Sequence, residues 1–437
     1  MTDYATSTEP PTNAQGEHSP SAGDLTIGTL WDFLRGDRRA ILAIASARGA
    51  LGLGFFFVIS AGLAREYDNH DLVSEPWRML MPLAASLGTS FILFSLLYVV
   101  ARTGGSGRLP FLRTYPQFLT LYWITAPMAW FYAIPVERFL SDRGAMLTNL
   151  GLLTVVSIWR MVLMVRVAAV LCAVPRRAAL WPVLLFADVV ALAAIVAAPK
   201  PVFMAMAGVW SPQSEWTGAM IGFQVGAAGV VTLPIWLIAM GIAVARQRPW
   251  RFGFPSRSPA GKVARGAWGL VFAVLLSSAM ALLWTQPEQR LRNQVESLIY
   301  SGRIDEAVQV MTMHQRNDFP PHWDPPPHPH DAAPRLLDVT DAILDAHVPE
   351  WVLAFFSSKL RGLLYDSALL SPQVTSDEEF DRYVRVVVAA PEGAALVWEK
   401  RRWLEALKAA NCSDQRRRSI EQVLKLAEQY EMSHGTP

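Results

Sequence analysis

At 437 residues, 52% hydrophobic and only 17% charged, the chain is too apolar and too sparsely charged to be a string of ordinary soluble domains, which carry roughly 45–50% and 25% of those classes. The charge is divided: residues 1–285 hold 22 Lys/Arg against 14 Asp/Glu, a net +8, and residues 286–437 hold 17 against 23, a net −6. The acidic second part has no large basic patch, so no nucleic-acid partner is expected. The two cysteines, Cys172 and Cys412, exclude a disulfide framework and a cysteine-based zinc site.

Residues 1–24 are rich in Pro, Ser, Thr and Gly and bury too little surface to order, so they read as a disordered cytoplasmic tail. They lack a basic stretch leading into a short apolar core and a cleavage site, and no cleavable signal peptide is expected. Residues 25–41 place Leu25, Ile27, Leu30, Trp31 and Phe33 ahead of Arg35, Arg38 and Arg39, the pattern of an amphipathic helix lying at a membrane surface.

Seven apolar segments follow, at 42–64, 79–101, 117–136, 146–172, 179–198, 218–244 and 266–285, each near the ~20 residues that cross a hydrocarbon core. None alternates, and in lipid a helix satisfies its own backbone, so residues 42–285 are predicted to form a seven-span helical bundle in the lipid bilayer. Tyr98, Trp123, Trp130, Tyr132, Trp181, Trp268 and Trp284 gather toward segment ends, as interface-seeking rings do; an interior position would also suit Trp123 and Trp130. The loops at one end carry Arg35, Arg38 and Arg39, then Arg102, Arg108 and Arg113, then Arg176 and Arg177, then six cations between Arg246 and Arg265. The alternate loops carry only Arg65 and Arg78, Arg138 and Arg143, and Lys200. The positive-inside rule therefore puts the N-terminus in the cytoplasm and residue 286 onward outside.

Residues 286–437 read as a soluble all-α domain. Gln289–Tyr300 and Asp305–His314 form a helix pair joined at Ser301 and Gly302, and helical periodicity returns at 336–347, 350–369, 376–389, 394–410 and 414–431, with Asn411 as a C-cap. Between them, residues 319–334 (FPPHWDPPPHPHDAAP) hold too many prolines for a helix and read as an extended loop.

Three constellations carry chemical interest. Asp188 lies about nine residues into the fifth segment, ~14 Å deep at 1.5 Å per residue. A carboxylate at that depth needs a partner, and Arg160 and Arg166 of the antiparallel fourth segment are the candidates, Arg166 matching its depth better. Gly218, Gly222 and Gly226 form a small-residue stripe, followed by Pro234, that suits close helix packing. His322, Asp324, His328 and His330 have the chemistry of zinc or copper ligands but no recognised spacing; a rigid loop docked through Trp323 and its prolines is the plainer reading. No catalytic or nucleotide-binding motif occurs, and no cofactor is implied. The glycine run from Gly49 to Gly54 lies inside a span and reads as packing.

The stretches TLYWITAPMAWFYAIPVERFL, SIWRMVLMVRVAAVL and FPPHWDPPP resemble a family of bacterial multi-spanning inner-membrane proteins with a C-terminal helical domain and no assigned function. The resemblance implies an inner membrane with the C-terminal domain in the periplasm, and no activity. SLIYSGRIDEAVQVM is similar to half of a tetratricopeptide repeat, with no second copy at the expected period. The sequence thus favours a membrane-anchored interaction or scaffold protein. The alternatives are a transporter or channel using Asp188 with Arg160 or Arg166, and a membrane enzyme of unrecognised chemistry.

Overall fold

The structure, a computed structural model, describes residues 24–103, 110–197, 212–246, 250, 252–254, 261–327, 335–346, 348–365, 376–389, 393–409 and 412–434. The tail before Asp24, His328, His330 and Asn411 lie outside them. The chain is all-α: among the described residues there are fifteen α-helices, four short 3-10 helices and two isolated parallel bridges, Leu25 to Val263 and Arg48 to Lys262. Six stretches are long and apolar enough to cross a membrane: Pro76–Arg102, Phe111–Arg138, Asp142–Leu171, Arg176–Ala197, Gly218–Arg246 and Arg265–Tyr300.

The predicted surface helix over 25–41 is two helices, α1 (Ile27–Leu34) and α2 (Arg38–Ser46). Gly36 turns the chain between them at φ +78°, a conformation glycine adopts without steric penalty. Asp37 then restarts the helix by accepting a 2.9 Å bond from the Ala40 amide. Leu25, Phe33 and Ile41 are buried in the bundle core, while Ile27 and Trp31 stay exposed, so this segment belongs to the bundle rather than lying loosely on its surface.

The predicted first span is likewise divided. It breaks at Ala47–Gly49, where Gly49 takes φ +81° and the Arg48 amide donates to Gly261 O at 2.9 Å, and it resumes as α3 (Ala50–Glu66). At 17 residues, about 25 Å, α3 is shorter than any of the six span-length stretches. It is also among the most enclosed helices, with Leu53, Phe57 and Val58 buried.

Next come α4 (Met81–Thr103) and α5 (Phe111–Trp123). The predicted third span does not continue as one α-helix, because Pro127 has no N–H for the Trp123 carbonyl; the chain proceeds as a 3-10 helix over Ala126–Ala133. Both tryptophans here turn inward, Trp123 donating to Ser86 Oγ and Trp130 to Ser60 Oγ, each at 3.0 Å. Then follow α6 (Asp142–Leu171), α7 (Arg176–Ala197), α8 (Pro212–Arg246) and α9 (Arg265–Tyr300).

Contacts between helix ends fix the order of passes. At one end the Leu25 amide bonds Lys262 O, the Gly253 amide bonds Leu171 O, and Tyr98 packs on Phe111. At the other end Tyr67 OH bonds Ala133 O and Thr285 Oγ1 bonds Tyr67 O. Among the described residues α3 through α9 therefore alternate in direction, crossing the bundle seven times, with α3 and α9 parallel neighbours. The first end carries the arginines of the strongly basic loops; the second carries the helical domain.

α9 is 36 residues long, about 54 Å, and serves both halves. Ala267 and Val271 are buried in the bundle core, and Val295 and Ile299 in the domain core. The domain is completed by α10 (Ile304–Met313), α11 (Leu336–Asp345), α12 (Glu350–Tyr365), α13 (Asp377–Ala389), α14 (Gly393–Ala409) and α15 (Asp414–His434). α9 and α10 form the predicted hairpin, with Gly302 at φ +77° in its turn and Ala307 fully buried.

α8 packs most extensively against α7. Of the small-residue stripe, Gly218 and Gly222 are buried and Gly226 faces Ile195 of α7, and the tightest approach is one turn further on. A Cβ on Gly229 would stand 2.8 Å from Asp188 Oδ1 and 3.0 Å from Leu192 Cδ2. Gly229→Val should therefore destabilise the protein by about 1–3 kcal/mol through overpacking. Gly241→Ala, which meets nothing within 4 Å, should leave the melting midpoint in detergent unchanged. Equal effects from the two would refute this account of the helix pair.

Candidate functional site

Among the described residues no arginine pairs with Asp188. Its Oδ2 accepts a 2.7 Å hydrogen bond from Thr232 Oγ1 of α8, in the notch that Gly229 leaves open. Arg166 Nε donates to Gly36 O at 2.8 Å, and the Arg160 guanidinium lies 4.4 Å from the centre of the Tyr122 ring. The expected Asp188–arginine pair is thus corrected: the three charged residues are held by three different elements. The reason is rotational. α7 turns Asp188 toward α8, whereas the arginines of α6 face the turn after α1 and the rings of α5. A neighbouring threonine, invisible to a search for opposite charge, is what satisfies the carboxylate.

The densest polar constellation lies where the bundle meets the domain. Beyond α3, the carbonyls of residues 67–70 have no helix to continue into, and the side chains of α9 take all four. Tyr67 O accepts from Thr285 Oγ1 at 2.6 Å and Gln286 Nε2 at 3.0 Å, and Asp68 O accepts from Gln289 Nε2 at 2.6 Å. Asn69 O accepts from Arg292 Nη1 at 3.1 Å and His70 O from Gln286 Nε2 at 3.1 Å, while Gln286 Oε1 receives the Leu72 amide at 2.7 Å. Around this clamp Arg138 holds two carboxylates at once, Asp68 at 2.6 Å and Glu288 at 2.8 Å, with its guanidinium 4.5 Å from the centre of the Trp284 ring. Such bidentate pairs fix orientation as well as charge.

Residues 319–327 of the proline-rich segment close over this junction. Phe319 and Trp323 stack at 4.4 Å and are buried, and Trp323 Nε1 donates to Glu296 at 2.9 Å. Lys359 of α12 is only 1% exposed; its ammonium pairs with Asp324 at 2.9 Å and donates to the carbonyls of Pro325 and Pro327. Prolines supply carbonyls but no N–H groups, so a buried cation is a suitable partner for such a run. The docked-loop reading of Trp323 is what the structure shows.

Beneath the loop is a cavity of about 180 Å³ lined by Asp68, Glu137, Arg292, Glu296, His322 and Asp324 among others. That is below the ~300–1,000 Å³ usual for small-molecule sites. Its carboxylates are engaged: Asp68 by Arg138, Glu137 by Asn149, Glu296 by Arg292 and Trp323, and Asp324 by Lys359.

His322 presents Nδ1 to Asp142 and Nε2 to Leu140 O, so both ring nitrogens already face oxygen, and Asp324 is taken by Lys359. Among the described residues no group of three metal-ligating side chains converges. The sequence reading missed Thr285, Gln286, Gln289, Arg292, Arg138 and Lys359. The polar side chains at 285, 286, 289, 292, 293 and 296 were a usable sign, since they fall on one helical face where an apolar span ends.

No protein family, curated protein or solved structure matches the chain.

His70, inside the clamp, lies 3.4 Å from Glu66 and 3.5 Å from Arg78 Nη1. Burial, with Arg78, Arg292 and Arg65 nearby, pushes its pKa down to about 3, so at neutral pH the contact with Glu66 is not an ion pair. The unfolded chain takes up this proton below its ordinary value of 6.5 and the native chain only near 3. His70 therefore lowers stability as the pH falls through that window, by about 1 kcal/mol per pH unit. Melting curves in detergent at pH 7.5 and 5.0 should show a smaller acid-induced loss for His70→Gln than for the wild type; identical losses would remove His70 as the cause.

Proposed function

We propose that the chain is a multi-pass membrane protein of a bacterial inner membrane, with its basic end in the cytoplasm and its helical domain in the periplasm, and that it acts as a membrane-anchored interaction protein. One observation carries this reading: α9 runs without interruption from the core of the bundle into the core of the domain, and four backbone carbonyls lock it in place. A domain held this way keeps a fixed height and orientation above the bilayer, which suits display to a partner. The arginine-rich loops at the opposite end support the orientation, and the likeness of three segments to a bacterial inner-membrane family supports the location.

The display face is the α9–α10 hairpin. Tyr300 and Met313 are exposed there, and a groove of about 500 Å³ is lined by Leu298, Val310 and Met313 with Gln294 and Gln309. A photo-crosslinking residue at Gln309 should give one discrete protein adduct in intact cells, formed on the periplasmic side and absent when the residue replaces Glu428 on α15. No adduct at Gln309, or equal adducts at both positions, would count against the interaction reading.

Transport is the second reading, resting on Asp188: a carboxylate midway along an apolar helix whose partner is a hydroxyl rather than a cation. A chain that moves protons through this residue would show proton flux in liposomes that Asp188→Asn abolishes, with the Gln309 adduct unaffected. Equal flux in wild type and variant would end that reading.

A further inference from the structure

A second cavity, of about 400 Å³, lies at the basic end between α6 and α7, closed on one side by the turn after α1. That wall is fastened in place: Trp159 Nε1 donates to Leu34 O at 3.0 Å and Arg166 Nε to Gly36 O at 2.8 Å. The two helices run antiparallel and line the cavity with matching four-residue steps, Ile158, Val162 and Arg166 on α6 against Leu184, Leu180 and Arg176 on α7. This register puts both arginines at the same end and apolar pairs behind them, over a length of about 12 Å. Arg35 joins the charged end from the wall. Among the described residues no carboxylate pairs with Arg35, Arg166 or Arg176; Arg35 lies 5.0 Å from the centre of the Trp31 ring. Ile158 and Val162 are more than half exposed at 53% and 63%, so the trough opens on the outer face of the bundle.

We propose that this trough is a binding site for an anionic phospholipid of the cytoplasmic leaflet. The headgroup phosphate sits among the three guanidiniums and one acyl chain lies along Val162, Leu180, Ile158 and Leu184. The occupant follows from charge and shape together: three cations that no described carboxylate pairs need an anion, and an open apolar slot behind them needs a chain attached to it. Basic pockets at the cytoplasmic ends of membrane helices are suited to such headgroups. The inference rests on the membrane reading above, and the test separates the two.

The full-length protein is first floated with neutral phosphatidylcholine vesicles; failure to float would reject the membrane reading itself. Its melting midpoint in phosphatidylcholine micelles is then followed as phosphatidylglycerol is added, where a ligand that binds only the folded state raises the midpoint. The wild type should be stabilised by several degrees, while Arg35→Gln/Arg176→Gln should bind about thirtyfold more weakly. Both of those arginines are exposed, so the double variant should melt like the wild type in phosphatidylcholine alone. Arg38→Gln/Arg39→Gln removes equal charge from the neighbouring α2 and should keep wild-type affinity. Equal weakening by the two double variants would show diffuse surface attraction and overturn the site. Stabilisation by glycerol 3-phosphate or inorganic phosphate to the same extent would make it an anion site without a lipid and overturn the proposal as well. A floating protein with no preference for phosphatidylglycerol would reject the lipid site alone.

Discussion

When α3 ends, four successive carbonyls must find donors away from any helix, and the face of α9 that carries Thr285, Gln286, Gln289 and Arg292 supplies them. A buried backbone carbonyl without a partner costs about 1–3 kcal/mol, so this face cannot rotate or slide by one residue without losing several bonds together. The position of α9 along the bundle is thereby set. Because Val295 and Ile299 of the same helix lie in the domain core, the position of the domain is set with it. Arg138 reinforces the joint from the side by reaching Asp68 at the end of α3 and Glu288 on α9 at once.

This joint changes how Trp323 and the proline-rich segment are understood. A stiff proline-rich loop projecting an aromatic ring would suit a contact surface, but Trp323 and Phe319 are buried and the Lys359 ammonium gathers the loop's carbonyls. His322 turns the other way, at φ +52°, and meets Asp142 and Leu140 at the start of α6. The loop is therefore a second fastening between domain and bundle. Removing Trp323 would disturb folding before it disturbed any partner, which is why the proposed interaction face is the α9–α10 hairpin.

Helix identity was legible because each segment carries its own hydrophobic pattern: α6, α7, α13 and α15 begin or end within a few residues of the expected positions. The misses fall where a residue answers to a distant neighbour. The break at Arg48 is sealed by Gly261 O, more than two hundred residues along the chain, and no local window contains that acceptor. The inward turn of α1 depends on Arg166 reaching Gly36 O. Asp188 reads from the sequence as a carboxylate needing a partner, and what it meets is the Thr232 hydroxyl. Pairing it by charge and depth alone pointed to α6, because the decisive feature, the missing Cβ of Gly229, is a property of α8.

The two ends of the bundle handle charge in opposite ways. At the domain end cations are neutralised internally: Arg138 by Asp68 and Glu288, Arg292 by Glu296, Lys359 by Asp324. These pairs are partly or wholly enclosed, where an uncompensated charge would be strongly destabilising, and they hold the domain in place. At the basic end Arg35, Arg166 and Arg176 line a cavity that supplies no carboxylate. Charges that hold the domain are neutralised by the protein's own carboxylates; at the trough Arg166 also ties down Gly36 O, but no described carboxylate neutralises it, Arg35 or Arg176, so their charge acts on what surrounds the trough. By that criterion the domain end is architecture, and the basic end is where the bundle engages an anion from outside.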